Sequence, residues 1–132
     1  MSSGNTSDLR SPLGRARGLG SAKDGTHHWW AQRVTAVALV PLSIWLVYSI
    51  VHVATGGYDG YLSWIESPTN ATAMVLLIAV SFHHAQLGVQ VVVEDYIPGH
   101  AMRIATNLIV KFLCYGLAAL SIVSILIVAF GR

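Results

Sequence analysis

The sequence predicts an all-α membrane protein, with three transmembrane helices behind a flexible basic N-terminal tail. Two observations carry this prediction. Of 132 residues, 54% are hydrophobic and only 11% are charged, whereas a soluble domain is about 25% charged. The apolar residues also come in three long blocks rather than in alternation, which is the pattern of membrane-spanning helices. After residue 29 these blocks nearly exhaust the chain and leave no room for a soluble catalytic domain. The chain therefore divides into a tail, 1–28, and a three-helix membrane region, 29–132. The formal charge of +2 is too small and too localised to suggest nucleic acid.

The tail is polar and rich in Gly and Ser, with no apolar core and no cleavage pattern, so it does not read as a signal peptide. Arg and Ser leave an organellar transit peptide as an alternative, against which Asp8 and Asp24 argue. Pro12, Gly14, Gly18, Gly20 and Gly25 break any helix there. Residues 26–33 read as an interfacial entry, because Trp29 and Trp30 each combine an apolar ring with a polar N–H. The first span, 34–53, has 20 residues without a formal charge, which covers roughly the 30 Å hydrocarbon core. Pro41 falls inside it, where a kink is tolerated, and His52 lies at its far end. A loop over 55–68 carries two acids, no Lys or Arg, and an aromatic cluster. Thr69 or Asn70 is expected to cap the second span, 71–93. A short turn at Pro98-Gly99 leads to the third span, 104–130. Cys114 lies within that span and has no partner for a disulfide or a thiolate site.

Basic residues set the orientation. Arg10, Arg15, Arg17, Lys23, Arg33, Arg103 and Lys111 fall on one side and Arg132 on the other. The positive-inside rule then places the N-terminus in the cytoplasm, with the matrix as the organellar equivalent. Lys111 reaches the same interface by snorkelling.

The second span carries the candidate site. His83 and His84 stand where such a helix normally has Leu or Val, and ionisable groups at that depth mark a site by default. His84, Gly88, Val91 and Asp95 fall on one stripe. An imidazole can ligate a metal axially, and the missing side chain at Gly88 leaves space for a flat macrocycle, a combination that suits haem iron. The alternative is a histidine that only hydrogen-bonds a neighbouring helix, and spacing alone leaves both readings open. His83 lies about 100° away, so the two cannot serve one iron from the same helix. No Cys or carboxylate sits at zinc-ligand spacing on that face. Gln86 and Gln90 read as interhelical glue. Tyr96 is either an aromatic-belt residue or a phenol that donates to a carbonyl of a lipid-soluble ligand, with Asp95 beside it. Arg33 and His27 lie on the same side. Arg33 is either an anchor for the positive-inside face or a fork for carboxylates such as haem propionates.

These motifs resemble a known family. His84-Ala85-x-x-Gly88 followed by Asp95-Tyr96 looks like the hydrophobic membrane anchor (D) subunit of succinate dehydrogenase, respiratory complex II. Gly25-Thr26-His27 and Arg33-x-Thr35-Ala36 match the same family's entry to the first span, and Gly20-Ser21-Ala22-Lys23-x-Gly25 is similar to bacterial members. The resemblance covers about residues 20–132. It implies a role in electron transport and the tricarboxylic acid cycle without succinate chemistry in this chain. The expected partners are a flavoprotein subunit, an iron–sulfur subunit and a cytochrome b556-like C anchor, with one haem b and a ubiquinone site shared among the membrane subunits. By position His84 would be this chain's axial haem ligand, beside Gly88. His27 and Arg33 would lie near the propionates, and Tyr96 with Asp95 at the quinone. The register selects His84 over His83, and the spacing to Arg33 selects His27 over His28. The resemblance implies the bacterial cytoplasmic membrane rather than the mitochondrial inner membrane. The rival readings are a fumarate reductase anchor and a small membrane transporter or assembly subunit without a redox role.

Overall fold

The computed structural model describes residues 12–13 and 23–131, with side chains from Gly25 onward in the continuous part. Arg10, Arg15, Arg17 and Arg132, with most of the predicted tail, lie outside the described residues, as does the side chain of Lys23. Four helices follow in order: α1, Lys23–Ala54; α2, Gly57–Ile65; α3, Pro68–Tyr96; and α4, His100–Phe130. Of these, α1, α3 and α4 are long and apolar enough to cross a membrane.

Helix α1 begins earlier than the composition suggests. Gly25 lies inside it, although glycine costs about 1 kcal/mol relative to alanine in a helix interior. One such residue does not stop a helix when no proline lies nearby and residues 26–40 continue it. Pro41 is also inside α1. Proline removes one backbone donor, which membrane helices accommodate.

The loop expected over 55–68 contains a helix instead. Gly57, at φ +63°, takes a left-handed turn that other residues rarely adopt. The chain then reverses, and α2 buries Leu62 and Ile65 one turn apart. Ile65 is fully buried, and it clusters with Ala71 and Ala129 against Tyr61, Trp64, Met74, Ile125 and Val128. Trp64 also stacks on Trp45 of α1, with ring centroids 5.6 Å apart. The best-packed part of the molecule is therefore the end where α1 finishes and α3 begins.

The start of α3 corrects the expected cap. Ser67 is the N-cap residue, without a side-chain cap hydrogen bond, and Pro68 opens the helix. Proline fits there because the first helical N–H has no intrahelical acceptor. Asn70 has a different task. Its Nδ2 donates to the Trp64 carbonyl at 2.9 Å and ties the end of α2 to α3. Asn70→Ala is expected to cost about 1 kcal/mol. The loss should appear as a lower thermal midpoint of the purified protein, and an unchanged midpoint would show that the tie contributes nothing.

Gly99, at φ +95°, makes the turn into α4. Helix α3 is central and packs on both α1 and α4, while α1 and α4 do not pack on each other. Little is enclosed. Among the described residues only Leu62, Ile65, Ala71, Leu87, Val93, Ala118 and Ala129 are buried apolar residues. Large side chains such as Val37, Ile44 and Phe112 remain outward, as they would toward lipid or a neighbouring helix.

Candidate functional site

The paired histidines are divided between the two flanking helices. Nδ1 of His84 lies 2.8 Å from Thr35 Oγ1 on α1. Nδ1 of His83 lies 3.0 Å from the Tyr115 hydroxyl on α4, and the two rings stack 6.3 Å apart. The separation follows from the 100° step between neighbouring residues of a helix that has a partner on each side. Neither Thr35 nor Tyr115 is marked as a site residue by the spacing of the sequence. Thr35 did stand in the Arg33-x-Thr35-Ala36 motif, but nothing in the spacing alone paired it with His84.

The surroundings of the two histidines differ. One turn beyond His83 lies Leu87, which is buried. One turn beyond His84 lies Gly88, where an added Cβ would meet only the Gln32 side chain, at 3.8 Å. That is ordinary contact, so packing within this chain does not demand glycine there. Nε2 of His84 has no hydrogen-bond partner among the described residues. That nitrogen is therefore unengaged, while the opposite ring nitrogen is held. Among the described residues no three His, Cys, Asp or Glu side chains converge as a metal set. The described residues therefore offer a metal single imidazoles rather than a clustered set.

His83 faces a separate polar groove. A cavity of about 280 Å³ opens on α3 between α1 and α4, lined by His27, His28, His83, Gln86, Gln90, Lys111 and Tyr115 among others. Gln86 donates to Gln90 at 3.2 Å, and Gln90 donates to Glu94 at 2.8 Å. These bonds run along α3, so the two glutamines pair within one helix rather than gluing two together. Lys111, expected at the interface, lines this groove. His27 also faces it. Arg33 is exposed, and its guanidinium lies 5.1 Å above the Trp29 ring. Six residues apart on α1, His27 and Arg33 thus point to different surroundings.

Tyr96 is the last residue of α3 and is 80% exposed. Asp95, next to it, is exposed as well. The phenol makes no hydrogen bond to another described residue. Twelve residues separate it from His84, roughly 18 Å along the helix.

Fold and site together define a class: a three-span membrane protein whose central helix carries a half-buried histidine one turn from a glycine, and a free tyrosine at its end. The chain belongs to the succinate dehydrogenase/fumarate reductase transmembrane subunit family, which matches residues 7–129. Among its relatives, a succinate dehydrogenase hydrophobic membrane anchor subunit of Rickettsia conorii is 36% identical over 108 residues, covering 81% of this chain and 86% of that one. The protein of the same description from Rickettsia bellii is 35% identical over 127 residues, covering 96% and 98%. That from Paracoccus denitrificans is 31% identical over 94 residues, covering 71% and 73%. No solved structure matches the chain.

Proposed function

We propose that this chain is the D-type anchor of a bacterial succinate:ubiquinone oxidoreductase, sharing a haem b site and a quinone site with partner subunits. The observation that carries the reading is His84: one ring nitrogen is held by Thr35, the other has no partner, and Gly88 stands open one turn away. Histidine is a common axial ligand of haem iron, and a second histidine from another chain would complete the pair. His83 is also held through Nδ1, but only His84 has an open glycine one turn away, so the second ligand would come from the partner anchor. Haem, when bound, provides a one-electron carrier within the membrane.

The chain's own residues perform the remaining tasks. His84 would hold the iron through Nε2. Gly88 would leave its face of α3 free for the macrocycle. Arg33, exposed and steadied by Trp29, is placed to meet carboxylates presented by a neighbour, for which its planar fork is suited. His27 faces the groove instead, so any contact it makes with a propionate would have to come from that side. Tyr96 would donate its O–H to a ubiquinone carbonyl, with Asp95 beside it. The distribution of basic residues supports a cytoplasmic side for the Tyr96 end and the N-terminus, where electrons from an iron–sulfur subunit would arrive. The family description also covers fumarate reductase, but the relatives named above are succinate dehydrogenase subunits. Family membership leaves the transporter reading without support.

The test is affinity purification of the tagged chain from its native membrane, followed by an absorption spectrum. The expected result is a co-purifying flavoprotein and iron–sulfur subunit and a dithionite-reduced haem b band. A chain that purifies alone and colourless overturns the proposal. Gly88 gives a finer prediction. Gly88→Ala should assemble normally, because the added methyl meets only ordinary contact, while Gly88→Leu should lower the haem-to-protein ratio severalfold. Equal haem content in both variants would show that this face of α3 does not lie against the cofactor.

A further inference from the structure

Thr35 has two hydrogen-bond acceptors behind it. Its Oγ1 lies 2.7 Å from the Ala31 carbonyl and 3.1 Å from that of Gln32, both one turn back on α1. A hydroxyl has one proton to donate and two lone pairs that accept. With carbonyls as its only partners behind, the proton is committed to the backbone of α1. With the proton so placed, the oxygen acts as an acceptor toward His84 Nδ1, at 2.8 Å. The tautomer that satisfies all of these contacts carries the imidazole proton on Nδ1, which leaves Nε2 with the lone pair.

From this geometry we infer that Thr35 is a positioning residue that sets the tautomer, the ring orientation and the basicity of His84. The inference rests on the reading of His84 as an axial ligand and adds a residue that acts through it. Its physical basis is general. A metal-bound histidine donates its second N–H to an acceptor, and that acceptor fixes the ring and enriches it in electron density. An electron-rich axial ligand favours oxidised iron, so the Thr35 oxygen holds the haem potential down. Because the hydroxyl is anchored to the Ala31 carbonyl, the ligand is registered to α1 as well as to its own helix. Thr35 lies in a half-buried position.

The experiment compares Thr35→Val, Thr35→Ala and Thr35→Ser in the intact purified complex. Haem content, midpoint potential and the electron paramagnetic resonance signal of the oxidised haem are read for each. Valine keeps the shape and removes the oxygen. Alanine removes the same oxygen and cannot overfill the site, so it serves if the valine variant fails to assemble. Serine restores the oxygen. The expected result is a higher midpoint potential and an altered low-spin signal in the valine and alanine variants, with serine returning both to wild-type values. A potential and signal in Thr35→Val or Thr35→Ala identical to wild type at full haem occupancy overturns the inference. So does a serine variant displaced as far as the valine one, since that would make packing rather than the oxygen the cause. A wild-type complex that lacks haem would remove the His84 reading itself, an outcome distinct from either of these.

Discussion

Replacing His84 with alanine is expected to reduce the haem b band of the purified complex to background. The imidazole is the ligand that Gly88 marks on α3, and its Nε2 has no competing partner among the described residues. Without it the iron would keep only one protein ligand. Anything that binds the assembled state stabilises it by mass action, so loss of the haem should also lower the thermal midpoint of the membrane part. The same substitution at His83 provides the control. His83→Ala removes the contact with Tyr115 and should leave the reduced spectrum in place. A spectrum lost with His83 and retained without His84 would reverse the assignment. An unchanged spectrum in both variants would mean that neither histidine is a ligand.

Tyr96→Phe is expected to lower succinate–quinone reductase activity by about tenfold while succinate–dye activity remains. The substitution removes one hydroxyl from a residue that is 80% exposed at the end of α3, so folding of this chain should be unaffected. The loss of a hydrogen bond to a buried substrate carbonyl amounts to roughly 1–1.5 kcal/mol, and 1.4 kcal/mol is a factor of ten. The dye takes electrons before the quinone and does not need the phenol. Equal loss of both activities would show an assembly defect instead. Unchanged quinone activity would make Tyr96 a belt residue of the membrane interface.

The two histidines show how much of the site was legible in the sequence. The position of Gly88 four residues beyond His84 marked one of them, because helical periodicity stacks i and i+4. The partner of its ring nitrogen was not legible. Thr35 is 49 residues away, and no local pattern connects two helices that meet only by packing. The same limit explains Tyr115. It explains the groove as well, where His27, His83 and Lys111 line one cavity although no local pattern connects them.

Errors of a local kind had local causes. Residues 55–68 have the composition of a loop because glycines and aromatic residues crowd them, yet they contain α2. Leu62 and Ile65 are nevertheless spaced one turn apart, and their burial against Ala71 and Ala129 holds the helix in place. Such burial is a tertiary property, which composition does not contain. Asn70 resembled a cap for the same reason: the residue type suits either task, and only the position of the Trp64 carbonyl decided which it performs.

By itself the sequence determined that this is a three-span membrane protein with ionisable residues at depth, and the Asp95-Tyr96 end of the central helix. Long apolar blocks specify spans because every backbone polar group in lipid must be paired within a helix, and that requirement is one-dimensional. The tertiary structure alone decided that α3 lies between α1 and α4, that His84 meets Thr35 while His83 meets Tyr115, and that Arg33 and His27 face different surroundings. Those outcomes depend on which faces of the helices pack, and helices with so little buried surface are arranged by a few polar contacts between residues far apart in the chain.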